Sequence, residues 1–401
     1  MNYSPEAQAR LDGWQKRAIA CAVLGVVLAL VFGWIDANRA GSDGWQHFFQ
    51  SYIFGYMYWA VFSFGALGFL MLHHLTGGPW GIPVRRLFEA GTRTLPLMAA
   101  LFLPLLLGVS RLYPWAQPDK VAEDPLLQYK HPYLNPGFFT VRAVIYFAIL
   151  CGFAFVLNRL SLQQDRTGDA SLAHRMSVWS GPGMVIWGFT VSLCVIDWVM
   201  TLEPHWFSTM YGFIFLVSSG QAAMCASVIV LRLLGDTEPL RDEIQAKRLN
   251  DLGNLMLAMV MLWTYMSFSQ FLIIWAGNMK DEIPWYQVRA FGPWASIAAI
   301  LLVFHFAVPF LFLLQRRVKR GIGSLSRVAA LLLVLTVIDI YWLVVPAYEQ
   351  TGPQFRLLDL FALVGIGGLW VAAFIWQLKK MPLVALHDSR FPAVLEQEHG
   401  D

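Results

Sequence analysis

Two stretches of this chain read alike: LCVIDWVM at 193–200 and LTVIDIYW at 335–342. Each sets one aspartate, Asp197 or Asp339, into an apolar run at the tripeptide Val-Ile-Asp. A carboxylate is costly in lipid. A membrane helix keeps one where it faces the bundle interior, a partner group or water, so it marks a functional position by default. The repetition also suggests a fold built twice. Both readings require the runs to be membrane helices.

The composition supports that. Hydrophobic residues make up 57% of the 401 positions, charged residues only 14%, and the mean hydropathy is +0.53. Soluble domains carry about a quarter charged residues. Apolar stretches long enough to cross roughly 30 Å of hydrocarbon recur along the whole chain, and no stretch is long enough for a soluble catalytic domain. The expected spans lie at about 17–37, 50–73, 93–113, 138–160, 182–202, 208–233, 251–277, 291–315, 326–347 and 357–378. The third holds Pro96 and Pro104, which neighbouring helices make tolerable.

Basic residues are unevenly shared between the two sets of connections. One set holds clusters such as Arg85-Arg86, Lys247-Arg248 and Arg316-Arg317-Val318-Lys319-Arg320. The other holds scattered residues such as Arg39, Lys280 and Arg356. This bias places both termini, and a tail at 380–401, in the cytoplasm. The net charge of +3 then reflects topology and implies no nucleic-acid partner. The first span is too long for a signal-peptide core, and Ala37-Asn38-Arg39-Ala40 is a poor cleavage site. Cys21, Cys151, Cys194 and Cys225 fall singly within spans, so neither an iron–sulfur cluster nor a c-type haem is encoded.

Asp197 and Asp339 lie in spans five and nine, an offset of four that preserves direction. Spans two to five (50–202) and six to nine (208–347) then form two parallel-repeat four-helix bundles. Spans one and ten, at 17–37 and 357–378, are peripheral. A weaker echo agrees: Val141-Arg142-Ala143 and Val288-Arg289-Ala290 follow the two longer outward loops. The fold expected is an all-α polytopic membrane protein forming a single integral membrane domain.

Depth along a helix follows from a rise of about 1.5 Å per residue. In the second bundle every helix brings a polar group near mid-depth: Gln221, Tyr265, His305 and Asp339. Groups that donate and accept can pass protons when they lie in hydrogen-bond reach. His73, His74, Glu89 and Asp251 form a candidate entrance, and Asp197, Glu203 and His205 a candidate exit. A second reading makes the chain a quinol binder, with Asp197, Trp198, His205, Trp206 and Gln270 as an aromatic slot beside a proton acceptor. A third is a secondary transporter, but Gly181-Pro182-Gly183 and Gly292-Pro293 sit near span ends rather than breaking helices at matching depth. His305 is the one central histidine, so a pair of facing haem ligands is not encoded. No metal-ligand spacing or nucleotide motif appears.

Three stretches carry a family resemblance: VIDWVMTLEPHWFSTMYG at 195–212, WTYMSFSQFLIIWAGNMKDEIPWY at 263–286 and HHLTGGPWGIPVRRLFEAG at 73–91. With the ten spans, they resemble the ActF-type membrane subunits of bacterial alternative complex III, which belong to the polysulfide-reductase-type (NrfD-like) family. The resemblance implies a subunit of a respiratory quinol:electron-acceptor oxidoreductase in the bacterial inner membrane. It implies two four-helix bundles with two peripheral helices. Implied partners are an iron–sulfur subunit, c-type cytochrome subunits and a sister NrfD-like subunit that holds quinol or menaquinol. The subunit resembling this chain has no redox cofactor of its own, and acts as scaffold or proton path. Asp197, Glu203, His205, Gln270, Asn278 and Glu282 fall in the matched stretches. Asp339 and His305 do not, and rest on depth alone.

Overall fold

The computed structural model describes residues 4–39 and 44–385. Most of the tail expected at 380–401 lies outside them. Ten helices are long and apolar enough to cross a membrane, and no strand occurs among the described residues. In order they are span one Pro5–Ala37, two Gln46–Thr76, three Arg85–Leu107, four Pro136–Thr167, five Ser171–Leu202, six Met210–Leu234, seven Ala246–Gly277, eight Ala295–Leu314, nine Ile322–Ala347 and ten Leu357–Leu378.

Local chemistry sets several boundaries. Span four starts at Asn135, whose side chain accepts from the Phe138 N–H at 2.8 Å, with Pro136 in the first turn. It stops at Gly168, where φ is 66°, a left-handed backbone that glycine adopts without strain. The far loop between spans three and four is partly helical, at Pro118–Glu123 and Pro125–Lys130, because each proline fixes a first turn.

Span three departs from the expectation. It begins at Arg85, so Arg85, Arg86 and Glu89 belong to the helix rather than to a loop. With Asp165 of span four, they balance in charge. Arg86 Nη1 donates to Glu89 Oε2 at 2.5 Å, Arg85 Nε donates to Glu89 Oε1 at 3.0 Å, and Arg86 also pairs with Asp165 of span four. Basic residues normally mark a span's end. Here compensation inside the protein lets them lie within one.

Spans two to five pack in a ring, each on the next, and span five closes on span two. Spans six to nine repeat the arrangement. The rings meet chiefly where span two crosses span six. Spans one and ten pack along each other and lie against span two. Span two is therefore the central helix, buried along nearly its whole length. It is stitched to span ten by Ser51 donating to Asp359 at 2.6 Å, Trp59 to the Leu363 carbonyl at 2.8 Å, and Trp370 to Ser63 at 2.9 Å. Arg10 with Asp236 at 2.7 Å and Lys379 with Asp12 at 2.6 Å gather the start of span one and the end of span ten at one end of the molecule, the terminal end.

Small residues permit the closest crossings. The buried face of span one reads Ala18, Ala22, Gly25, Ala29, Gly33, against Gly365 and Gly368 of span ten. At the crossing of the two rings, a Cβ on Gly65 would strike the Ser219 backbone carbonyl. A Gly65→Val chain is expected to lose about 1–3 kcal/mol or more by overpacking. Gly188→Ala, which meets nothing nearby, should be neutral or slightly stabilising. Thermal unfolding of both variants in one detergent checks the contrast.

Candidate functional site

The two repeated aspartates have opposite surroundings. Asp197 is buried at the far end of the first bundle, and three side chains hold its carboxylate. Arg142 Nε donates to Oδ2 at 2.6 Å, Tyr146 OH to Oδ2 at 2.7 Å and Tyr133 OH to Oδ1 at 3.0 Å. Arg142 also lies over the Tyr133 ring, 3.8 Å from its centroid, and donates to the Tyr133 carbonyl at 2.7 Å. This is a closed ion pair with both oxygens occupied.

Asp339 is equally buried, in the middle of the second bundle, and its donors are neutral. Trp263 Nε1 donates to Oδ2 at 3.1 Å and Ser218 Oγ at 3.2 Å. The Trp263 indole also faces the His305 ring, with centroids 4.2 Å apart. His305 Nε2 meets the Gln221 amide at 2.5 Å, either as acceptor or, with the amide turned over, as donor. His305 Nδ1 has no partner among the described residues. The four helices of the bundle thus converge: Ser218 and Gln221 from six, Trp263 from seven, His305 from eight, Asp339 from nine.

His305 reaches inward because span eight makes a π-helical turn, Leu301–Ala307. The extra residue per turn shifts the helix phase, a distortion frequent at functional sites. Other mid-depth hydroxyls are occupied locally. Ser219 donates to Phe215, Thr264 to Val260 and Thr336 to Leu332, all backbone carbonyls of their own helices. Tyr265 is 64% exposed, on the opposite side of span seven from Trp263, and takes no part. Its helical phase turns it away from the bundle. The buried stripe of span seven runs Leu252, Met256, Val260, Trp263, Gln270, at spacings of three, four and seven, which leave Tyr265 outside.

The remaining sequence candidates lie elsewhere. Glu89 is buried in its arginine pair and accepts from Ser161 at 2.7 Å. His73 and His74 are buried at the terminal end of span two, with the His73 ring edge-on to Trp80. Asp251 is half-buried at the start of span seven. Glu203 pairs with Arg289 at 2.6 Å, and Arg289 sits over the Trp285 ring at 4.2 Å. His205 is largely exposed and contacts Asp124 at 2.6 Å. Partial desolvation pulls the Asp124 carboxyl up, but the His205 contact and the N–H groups of Leu126 and Leu127 outweigh it and hold Asp124 below the usual aspartate value.

The five residues of the expected quinol slot are each engaged with different neighbours. Trp198 is packed flat on Phe147 and 4.4 Å from Phe102, centroid to centroid. Trp206 stacks on Trp285 at 4.7 Å. Gln270 accepts from Ser208 at 2.8 Å and donates to Tyr286. His205 borders a shallow far-end hollow with Asp124 and Lys120. Asp197 has no lone oxygen to offer.

Sequence reading placed Ser218 near mid-depth on span six but did not assign Trp263 or Arg142 to these sites. Arg142 was visible in the Val-Arg-Ala echo, but the two arginines serve different partners: Arg142 takes Asp197, while Arg289 takes Glu203. No group of three or more His, Cys, Asp or Glu side chains that could hold a metal occurs among the described residues. No model of a known protein family matches the chain, and no curated protein matches it.

The contrast predicts unequal costs. Arg142→Ala strands a buried carboxylate and should destabilise the protein by about 3–5 kcal/mol, whereas joint Arg142→Met and Asp197→Leu replacement should recover most of that. Asp339→Asn keeps an acceptor for Trp263 and Ser218 and should shift stability by less than about 1.5 kcal/mol. Thermal unfolding of the three purified variants in detergent measures the ranking.

Proposed function

We propose that this chain is a membrane subunit, without redox cofactors of its own, of a quinol:electron-acceptor oxidoreductase of the NrfD-like type, and that its second bundle moves protons at Asp339. The terminal end, with its basic clusters, faces the bacterial cytoplasm in this reading. Electron transfer belongs to partner subunits with iron–sulfur clusters and c-type haems, and quinol to a sister NrfD-like subunit. The family resemblance of 195–212 and 263–286 supports the assignment to such a complex.

One observation carries the proton reading: Asp339 is a buried mid-span carboxyl held by neutral donors alone. It can give up and regain a proton without stranding a cation beside it. Asp197 cannot, because its charge holds Arg142. Ser218 both donates and accepts, so it can hand a proton to or from Asp339. Trp263 can only donate, so it passes no proton itself. Its indole stands between Asp339 and His305 and sets whether the two communicate. Exchange past it requires rotation of the ring or a water beside it.

The test uses the complex that co-purifies with this chain, rebuilt in liposomes with a quinol donor. Asp339→Asn should leave assembly and quinol oxidation intact and reduce proton translocation to near background. Asp339→Glu should restore part of it, and Trp263→Phe should alter the rate without abolishing it. Full translocation by Asp339→Asn overturns the proton reading. Purification of the intact chain with no haem-bearing or iron–sulfur subunit overturns the membership in such a complex.

A further inference from the structure

A second feature, independent of the proton site, lies on the outer side of the first bundle. A cavity of about 680 Å³ opens between spans three and four near the terminal end, with Gln377 of span ten at its edge. Its polar part is lined by Arg93, Asn158, Arg159 and Arg166, and no carboxylate is among its lining residues. Its other part is apolar, with Cys151 and Phe155.

Arg93 is held in place at the groove wall. Its Nε donates to Asn158 Oδ1 at 2.8 Å, and Asn158 in turn donates to Thr92 Oγ1 at 2.8 Å and to the Ala154 carbonyl at 2.7 Å. Arg93 Nη2 is buried and has no partner among the described residues. Neither Glu89 nor Asp165 hydrogen-bonds to it; both pair with Arg85 or Arg86 instead. A buried guanidinium nitrogen without an acceptor is costly, and a planar fork of this kind suits a phosphate.

Length distinguishes the occupant. The lining residues of span four run from Cys151 to Thr167, sixteen positions and so about 24 Å along the helix. That distance reaches from the interface deep into the hydrocarbon. A free phosphate would use only the arginine end. Phe155, 64% exposed, and Cys151 would line the path of an acyl chain. Basic pockets between transmembrane helices near one membrane face suit anionic headgroups.

We propose that this groove is a specific site for an anionic phospholipid, its phosphate on Arg93, Arg159 and Arg166 and one acyl chain along Phe155 toward Cys151. Arg159 and Arg166 are exposed, so their replacement leaves the core intact. The full chain, with whatever subunits accompany it, is delipidated in a neutral detergent and titrated with phosphatidylglycerol, phosphatidylcholine, glycerol 3-phosphate or inorganic phosphate, while thermal unfolding is followed. Phosphatidylglycerol should raise the melting temperature, with the effect weakening at high salt. The other three should not. Joint Arg159→Gln and Arg166→Gln replacement should weaken the phosphatidylglycerol effect by about thirtyfold in concentration. Phe155→Asp, which leaves the arginines in place, should also abolish it. Equal stabilisation by phosphatidylcholine, a full effect from inorganic phosphate or glycerol 3-phosphate, or an unchanged response in either variant overturns the proposal.

Discussion

Charge without water is the constraint on which this structure turns. Four carboxyl groups are buried among the described residues, and each has a different answer to the loss of solvent. Glu89 has two arginines one turn away on its own helix. Asp197 has an arginine and two tyrosines from neighbouring segments. Asp359 sits in the first turn of span ten, accepts from the Arg356 N–H at 2.8 Å and from Ser51, and benefits from the helix N-terminus. Asp339 has neither a cation nor a helix end. The protein tolerates it by aiming an indole N–H and a hydroxyl at it. Three of these groups hold helices together; the fourth is left chemically open.

The repeat gives that difference its meaning. Both bundles place Val-Ile-Asp on their last helix, and both follow a far-end loop with Val-Arg-Ala. Symmetry would pair Arg289 with Asp339 as Arg142 pairs with Asp197. Arg289 instead turns to Glu203, at the junction between the bundles. One repeat has closed its carboxylate, and the other has freed it while using the arginine to tie the two halves together. The crossing at Gly65, tight enough to exclude a single methyl group, fixes those halves against each other. Rocking of one bundle on the other, the usual motion of repeat-built transporters, would have to break it.

Much of this was legible in advance, for a physical reason. Hydrocarbon imposes one length and one polarity on every span, so the number and order of helices follow from apolar runs. The start of span three did not follow, because Arg85 and Arg86 are balanced by Glu89 and by Asp165 of span four, and composition cannot register compensation. Depth along a helix is a linear count, so Gln221, His305 and Asp339 were found at one level. Rotation about the helix axis decides the rest. Trp263 and Tyr265 differ in depth by about 3 Å, two residues of helix rise, yet they face roughly opposite directions. The π-helical turn at 301–307 escapes any count based on regular geometry.

Span two carries a consequence for how the protein is made. It is among the first helices synthesised, and nearly all its surface is destined for protein contact. Yet the hydrogen bond from Ser51 to Asp359 joins residues 308 positions apart. At ordinary synthesis rates, the last partner emerges roughly 15–60 s after the helix that needs it. Throughout that interval Ser51 lacks Asp359 and Ser63 lacks Trp370, while the bare backbone at Gly65 waits only for Ser219 of span six. The central helix of the finished molecule is thus the long-waiting one during biogenesis, its contacts complete only when the tenth span arrives.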